Sequence, residues 1–391
     1  MTGRQRVPPV LLVRSLRDFL AAEVAGAVLI CVAVVVALVW ANSPWSETYE
    51  SLLHTRSNVG IGSLGLDLDV HAWIGDGLMT LFFLVVGLEI KREMIDGELA
   101  SVRTAALPAI AALGGMVGPA AIYLLVAPSS ASRGWAIPMA TDIALALGVL
   151  TAFGRRVPTG AKVFLLALAI VDDIGAIAVI AVAYSSGLNA GYLLGAVGCA
   201  LMVVGLSRVR PDFGAGFVIL GVTMWWFTHE AGVHATIAGV VMGLLTPVSR
   251  IERIEHRLHP WTSLVIVPLF ALANAGIDLG GDALAGAASS RMSWAIVVGL
   301  VVGKPVGITA ATWLGRRMGL DLPTGVGIAQ IVAIGVVGGV GFTVSIFIAD
   351  LALDGASAPS AKLAILVGST LAAAFGSIAL WVTTRSAQAP R

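Results

Sequence analysis

Residues Phe164 to Gly187 read FLLALAIVDDIGAIAVIAVAYSSG, an apolar stretch in which Asp172 and Asp173 are the only charged residues. About 20 consecutive apolar residues are enough for a helix to cross the hydrocarbon core of a bilayer, so the stretch predicts a transmembrane helix. A single Asp near the middle of such a helix costs roughly 2.5–3.5 kcal/mol. Two adjacent aspartates are therefore rarely retained for packing alone. They predict a protein that handles protons or cations inside a membrane.

The composition of the whole chain agrees with this interpretation. The sequence is 58% hydrophobic and only 12% charged, whereas soluble domains carry about 25% charged residues. At roughly 20 to 25 residues per span, the 391 residues accommodate about a dozen helices, which predicts one transmembrane transporter domain over residues 1–391. The net charge of +1 argues against a nucleic-acid partner.

Charge-poor windows predict twelve transmembrane helices in an all-α membrane protein. The predicted spans are 24–42, 71–90, 105–126, 135–153, 161–184, 190–206, 213–229, 231–247, 260–277, 293–315, 325–349 and 363–384. Lys and Arg accumulate in cytoplasmic loops. All but five of the 24 fall on one side of this arrangement; Arg56, Arg133, Arg291 and Lys362 fall on the other side, and Lys304 lies inside a span. The pattern predicts that both termini are cytoplasmic.

Three segments lie outside these spans in a way that predicts their own structure. Residues 1–17 form a basic cytoplasmic tail, and residues 385–391 form a second one. Residues 57–70 read SNVGIGSLGLDLDV, in which apolar residues alternate after a glycine-rich start. Such alternation indicates an extracytoplasmic β-hairpin, with an unstructured loop as the alternative. An exposed hairpin edge could pair with a second copy of the chain, which predicts a homodimer.

The adjacent aspartates cannot share one neighbour, because successive helical residues point about 100° apart. One of them can face a cation path while the other meets a partner on another helix. Burial favours the neutral form of each carboxylate, so that protons and Na⁺ can compete for it. The alternative is a pair that holds two helices together by hydrogen bonds, although Asn or Ser would serve that purpose at lower cost.

Two further apolar spans contain residues that interrupt a helix. In GWAIPMATDIALALG, Pro138 removes a backbone donor, and Thr141 and Asp142 follow it. An unwound segment there would expose a positive helix N-terminus, which Asp142 could offset. In GIAQIVAIGVVGGVGFTVSIFIA, four glycines within seven positions weaken the helix interior, or else mark close helix packing. Together the two patterns predict a pair of discontinuous helices at a central site.

Lys304, in VVGLVVGKPVGITAATW, is the basic residue inside a predicted span. A buried Lys keeps its charge only when it is paired, and the candidate partners are Asp172, Asp142 and the negative C-terminal ends of the broken helices. Snorkelling of Lys304 to the membrane surface is the alternative. Asp76 is another acid inside a predicted span and an accessory candidate.

A titratable cluster is predicted at the cytoplasmic side. Glu89 ends one span, and RIERIEHRLHPW brings Glu255, His256 and His259 to the same region. Histidine titrates near pH 6.5, so this cluster could respond to cytoplasmic pH; a solvated helix start would look the same. The sequence has no nucleotide-binding loop and no metal-ligand spacing, so no cofactor and no enzymatic reaction are predicted.

Several motifs in order resemble the NhaA family of bacterial sodium/proton antiporters. They are ATDIALALGVL, LALAIVDDIGAIA, VGKPVGI, GVHATIAGV, HRLHPW, LFALANAGI and GFTVSIFIA. The resemblance extends over almost the whole chain. It implies twelve inner-membrane helices with inverted repeats, two of them broken and crossing at mid-membrane, and a β element that forms a dimer.

The resemblance also implies roles for individual residues. Asp172 and Asp173 would bind the proton and the transported Na⁺ or Li⁺, with Asp173 as the more direct ligand and Asp172 alternating with a salt bridge to Lys304. Asp142, Lys304 and Thr141 would support the site and offset the half-helix dipoles. The residues Glu89, Glu255, His256 and His259 would set the pH response.

The function expected from these observations is pH-regulated, electrogenic Na⁺(Li⁺)/H⁺ antiport by alternating access. The resemblance implies two protons per cation, Na⁺, Li⁺ and H⁺ as substrates, and a multi-pass location in the lipid of the bacterial inner membrane. The alternative is a symporter of the same fold that carries an organic solute and has a roomier polar site.

Overall fold

The computed structural model describes residues 9–61, 64–353, 355 and 357–386, and most of them are helical. The α-helices are α1 (Pro9–Ala41), α2 (Ser46–Leu53), α3 (Val70–Ala72), α4 (Met79–Asp96), α5 (Val102–Val126), α6 (Ile143–Ala152), α7 (Thr159–Ala183), α8 (Ala190–Val209), α9 (Gly214–Glu230), α10 (Thr236–Leu245), α11 (Val248–Trp261), α12 (Val267–Asn274), α13 (Gly281–Ser289), α14 (Arg291–Val298), α15 (Lys304–Arg317), α16 (Ile328–Gly338), α17 (Phe342–Ala352) and α18 (Ser357–Ser386). Short 3₁₀ helices occupy Glu98–Ala100, Ser129–Met139 and Gly154–Arg156, and π-helical turns occupy Trp73–Leu78, Thr262–Ile266 and Gly299–Gly303.

Many of these helices are long and apolar enough to cross a membrane. Among the residues described, 7 single helical stretches qualify: Glu23–Ala41, Val70–Asp96, Val102–Val126, Thr159–Ala183, Ala190–Val209, Arg291–Arg317 and Ser357–Arg385. Two bent helix pairs bring the number to as many as 9. The chain is therefore a multi-pass, mainly helical membrane protein. The predicted number of twelve is larger because three predicted spans coincide with shorter helices, α9 with 17 residues, α10 with 10 and α12 with 8.

The two predicted helix breaks are confirmed. The 3₁₀ helix Ser129–Met139 and α6 meet at a bend of 48°, and so do α16 and α17. At the first break Ala140 has extended backbone angles, two residues after Pro138. The second break, at residues 339–341, falls within the predicted glycine cluster. Every residue from 342 to 349 is buried, so this part of α17 lies in the interior of the protein with no exposed face.

The segment of the predicted hairpin contains two strands, β1 (Arg56–Ile61) and β2 (Leu64–Asp69). They pair antiparallel, with Arg56 opposite Asp69 and Ile61 opposite Leu64. The tip, residues 62 and 63, lies outside the described part of the chain. The first eight residues of the predicted N-terminal tail and residues 387–391 of the C-terminal tail lie outside it as well, and from Pro9 onward the chain is already helical.

Helices α5 and α15 approach each other through glycines. A Cβ atom built on Gly307 would lie 2.0 Å from the backbone oxygen of Gly114, and one built on Gly118 would lie 2.6 Å from the oxygen of Gly303. Glycines four residues apart, on α5 and on the π turn that continues into α15, allow the two backbones to touch, as in small-xxx-small pairs of membrane helices. This contact fixes α15, and with it Lys304, against the centre of the protein.

The Gly307→Ala variant should lose stability because its methyl group overlaps a backbone oxygen that cannot rotate away. Overpacking of this kind costs about 1–3 kcal/mol, which should lower the melting temperature of the detergent-solubilised protein. Gly198→Ala is the matched control, since a Cβ at Gly198 on α8 has no neighbour within 4 Å. Equal melting temperatures for the two variants would contradict the close contact.

Candidate cation and proton site

Asp172 forms a buried ion pair with Lys304 at the centre of the protein. Its Oδ2 lies 2.5 Å from Lys304 Nζ, and the side chains of both residues are 0% exposed. Lys304 Nζ also donates a hydrogen bond to the carbonyl of Met139, the last residue of the 3₁₀ helix before the first break. A cation at a helix C-terminus offsets its negative dipole end. Of the predicted partners of Lys304, the structure selects Asp172 and a helix C-terminus, and Asp142 is engaged elsewhere.

Thr141 connects this ion pair to the second broken helix. Its hydroxyl oxygen lies 2.7 Å from Asp172 Oδ2 and 3.0 Å from the carbonyl oxygen of Gly338, the last residue of α16. Thr141 can occupy this position because the break leaves it in neither half of its own helix. One short side chain therefore bridges both breaks and the aspartate pair.

Asp142 offsets the N-terminal ends of both second halves. Its Oδ1 accepts the backbone N–H of Leu145 in the first turn of α6 at 3.0 Å. Its Oδ2 accepts the backbone N–H of Thr343 at 3.2 Å and the Thr343 hydroxyl at 2.6 Å, in the first turn of α17. The backbone N–H of Asp142 donates to the carbonyl of Val340 at 2.7 Å. A single carboxylate thus compensates two positive helix ends, where the sequence predicted one.

Asp173 points away from this ion pair into a cavity of about 60 Å³. The residue is 6% exposed, and within the described residues its carboxylate accepts no hydrogen bond. The cavity is lined by Glu23, Ile30, Phe82, Val85, Val86, Glu89, Arg92, Thr141, Asp142, Ile143, Ala144, Leu166, Ile170, Asp173, His259, Thr262, Ser263, Val267, Thr343 and Val344. A cavity of this size holds about two water molecules, whose share of liquid volume is about 30 Å³ each.

The site has more acidic than basic groups. Asp142, Asp172, Asp173 and Lys304 are all buried there, so three carboxyl groups face one ammonium group. Asp172 Oδ1 is buried and has no hydrogen-bond partner among the described residues. Carboxylate and hydroxyl oxygens are the ligands that hard cations prefer, and an uncompensated carboxylate attracts a cation or a proton. The arrangement can bind either one, which is the chemistry that exchange requires.

A cluster of paired charges surrounds the other end of the cavity. His259 Nε2 lies 2.9 Å from Glu23 Oε1, and Glu255 pairs with Arg92. Burial raises the pKa of Glu255, and the positive charges of Arg92 and His259 oppose that rise. For His259, burial alone would lower the pKa, but the hydrogen bond and charge of Glu23, with Glu89 and Glu255, raise it above its usual value.

The structure brings some predicted residues to this cluster and not others. Glu89 lines the cavity, and Glu255 and His259 lie one helical turn apart on α11. His256 is exposed on the same helix, because it is turned about 100° from Glu255. Asp76 lies apart from the cavity lining, with its Oδ1 3.8 Å from Nδ1 of His234.

Two residues of the site were missed in the sequence. Glu23 is buried and is the acid at the edge of the first apolar run, where counting the span from residue 24 left it out. Thr343 is the hydroxyl residue just after the glycine break, where a first-turn residue can reach a capping carboxylate. The sequence signal for Glu23 was an acidic residue at the start of an apolar run, and the signal for Thr343 was a hydroxyl residue beside a predicted helix break.

Comparison with known proteins shows that the chain is similar to sodium/proton antiporters over most of its length. The model of a family described as Na⁺/H⁺ antiporter 1 matches residues 17–380. The Na⁺/H⁺ antiporter NhaA of Shewanella loihica is 44% identical over 375 residues, which cover 93% of this chain and 96% of that protein. That of Tolumonas auensis is 46% identical over 383 residues, covering 95% and 96%. The Na⁺/H⁺ antiporter NhaA 2 of Sorangium cellulosum is 44% identical over 410 residues, covering 92% and 87%.

Proposed function

This chain belongs to the Na⁺/H⁺ antiporter 1 family, and on that basis we propose that it is an electrogenic, pH-regulated antiporter that expels Na⁺ or Li⁺ in exchange for protons. The observation that carries the proposal is Asp173, a buried carboxyl group in a narrow cavity, beside the ion pair of Asp172 and Lys304. The proposed function of the protein is transport by alternating access and not enzymatic catalysis.

The proposed cycle makes protons and the cation compete for the same oxygens. Na⁺ enters the cavity past Glu89 and binds the carboxylates of Asp173 and Asp172, with the Thr141 hydroxyl within reach of Asp172. Binding displaces the protons held at the site and loosens the hold of Lys304 on Asp172. When the site faces the other side of the membrane, protons return to the carboxylates and Na⁺ leaves. Two protons for each cation carry one net charge inward, so the exchange is electrogenic.

The small cavity favours a bare or partly hydrated cation over an organic solute. Pockets for organic ligands measure about 300–1,000 Å³ and are mostly apolar. The cavity of about 60 Å³ at Asp173 is far below that range. This difference argues against the alternative of an organic-solute symporter.

We extend the span count to twelve on the basis of three shorter elements. The helices α9, α10 and α12, the last with the π turn Thr262–Ile266, fall within three apolar windows of the sequence that lie between longer spans. With them, all but five of the Lys and Arg residues fall on one side, which supports cytoplasmic termini in a protein of the bacterial inner membrane. The pair of β1 and β2 then lies outside, where its free edges could join a second copy into a homodimer.

The pH response is proposed to depend on the pair of His259 and Glu23. Because Glu23 raises the pKa of His259, the Glu23→Gln variant should lower that pKa, so the neutral imidazole appears at lower pH. We therefore expect the half-maximal activity of Glu23→Gln at a lower pH than that of the wild type, because the loss of a hydrogen bond to the charged imidazole favours its neutral form. The measurement is the pH profile of Na⁺-dependent proton movement, with the exposed His256→Gln as control. An unchanged profile for Glu23→Gln would remove the pair from the pH response.

The function is tested in inverted membrane vesicles with an acidic interior. A dye that reports the pH difference is followed while NaCl, LiCl, KCl or choline chloride is added, from about pH 6.5, the usual pKa of histidine, to about pH 8.5. Release of the dye signal by Na⁺ and Li⁺ alone supports the proposed antiport. A response to none of these cations at any pH contradicts it and favours the symporter.

A further inference from the structure

The cavity at Asp173 lies along an interface between two groups of helices. One side of its lining comes from α1, α4 and the segment from α11 to α12, including Glu23, Glu89 and His259. The other side comes from α6, α7 and α17, including Asp173 and Thr343. In alternating access, the two ends of such an interface must open in turn. The interface is therefore the place to look for groups that hold one end shut.

At the end away from Glu89, a polar network crosses the same interface. Lys362 Nζ on α18 lies 2.7 Å from Asp350 Oδ1 near the end of α17. The same ammonium group donates to Asn274 Oδ1, at the end of α12, at 2.9 Å. His71 Nε2 of α3, which leads into α4, lies 3.1 Å from the same amide oxygen. These four residues are called the Lys362 network below.

An aromatic contact fills the interface between the network and the cation site. Phe347 lies one helical turn from Thr343 on α17 and is 2% exposed. Its ring centroid is 5.4 Å from that of Phe83 on α4 and 6.2 Å from that of Phe270 on α12. Along α17, the side chains at residues 343, 347 and 350 therefore meet the cation site, an aromatic contact and the Lys362 network in succession.

We propose that the Lys362 network is a lock that closes the extracytoplasmic end of the cation path while the cavity is formed at the Glu89 end. The inference rests on the proposed antiport and adds residues that control which side of the membrane the site faces. Asn274 is 4% exposed, so its single amide oxygen binds donors from both helix groups in a position sheltered from water. Asn274 and His71 belong to the same helix group, so separating the groups breaks the hydrogen bond between Lys362 and Asn274, while Asp350 keeps Lys362 attached to the other group. Rejoining the groups restores that bond. This gives the interface two discrete states.

The ion pair of Lys362 and Asp350 can stabilise the closed interface because the pair is partly shielded from solvent. The Lys362 and Asp350 side chains are 14% and 24% exposed, so the pair is less screened than a fully solvated one. Lys362→Met removes the donor that holds Asn274 and Asp350 at once. Asp350→Asn keeps the shape and removes only the charge.

The test is chemical labelling of one buried cysteine from the extracytoplasmic side. Ile346→Cys places a thiol one turn below Asp350 at a position that is 0% exposed. It is built in a background with Cys31→Ser and Cys199→Ser, since the sequence has 2 cysteines. A membrane-impermeant maleimide is added to right-side-out vesicles, and the rate of labelling is measured. The matched control is Asp282→Asn on α13, an exposed acid outside the network.

Lys362→Met and Asp350→Asn should each raise the labelling rate about fivefold or more, the factor that 1 kcal/mol makes in a two-state equilibrium. Asp282→Asn should leave the rate unchanged. Equal rates in all variants would overturn the lock, and Asp350→Asn decides the matter if Lys362→Met does not fold. The labelling rate does not depend on transport, so it tests the lock even if the protein shows no Na⁺ exchange. If the protein is an active antiporter and all variants are labelled at the same rate, the lock is wrong and the proposed antiport stands.

Discussion

The Asp173→Asn variant should show no Na⁺-dependent or Li⁺-dependent proton movement. Its signal should equal that of vesicles that lack the protein. The amide keeps the size and shape of the side chain but can neither release a proton nor supply negative charge to a cation. Since exchange requires both, the whole activity is expected to be lost and not merely its affinity for Na⁺. The measurement is the dye assay in inverted vesicles, at equal amounts of protein in the membrane.

The activity of Asp173→Asn should be lost because the carboxyl group is missing and not because the protein is misfolded. Asp173 accepts no hydrogen bond within the described residues, so the amide removes no structural contact, and burying it costs less than burying a carboxylate. The melting temperature should therefore be equal to or above that of the wild type. The control is Asp282→Asn, which makes the same change at an exposed position and should keep full activity. Sustained Na⁺-dependent exchange in Asp173→Asn would contradict the assigned site.

The Lys304→Met variant should be strongly destabilised. The ammonium group lies 2.5 Å from Asp172 Oδ2 and also donates to the carbonyl of Met139, and the side chains of Lys304 and Asp172 are 0% exposed. Removing one partner of a buried ion pair leaves an uncompensated charge and costs about 3–5 kcal/mol. The melting temperature in detergent should fall accordingly. Lys162→Met is the control, because Lys162 lies on the same helix as Asp172 but is only half-buried, and its Nζ bonds the carbonyl of Gly154 at 3.3 Å.

A second substitution separates the ion pair from general packing. When Asp172→Asn is added to Lys304→Met, neither partner of the ion pair remains as an unpaired charge, so most of the lost stability should return. Activity should stay absent, because one of the two carboxylates is gone. If Lys304→Met is as stable as the wild type, or if the double variant is no better than the single one, the ion pair does not hold this part of the protein.

Much of the fold could be predicted because membrane insertion makes local sequence informative. In a bilayer the backbone must satisfy its own hydrogen bonds, so an apolar run such as the one around Asp172 becomes a helix. Pro138 and the glycines before Phe342 mark the breaks, since they weaken the helix whatever surrounds them. The aspartate pair could be found because a carboxylate in a membrane span is costly wherever it packs.

What could not be predicted depends on contacts between distant segments. Asp142 caps two helices only because the N-terminal end of α17 lies against the first break. No local sequence pattern predicts that contact. The pairing of Glu23 with His259 joins residues far apart in the chain, and periodicity cannot rank His259 above His256 without the neighbouring helix. Helices α10 and α12 are shorter than their apolar windows because π turns and loops consume the ends of those windows.

The central claim is that Na⁺ and protons compete for the carboxylates of Asp172 and Asp173. The most direct test is calorimetric titration of the purified protein with NaCl in buffers of different ionisation enthalpy, which counts the protons released per bound Na⁺. The account predicts proton release on binding, approaching two per cation where Asp173 holds one proton beforehand and the pair of Asp172 and Lys304 holds the other, and no binding heat in Asp173→Asn. Binding of Na⁺ with no release of protons at any pH would contradict it.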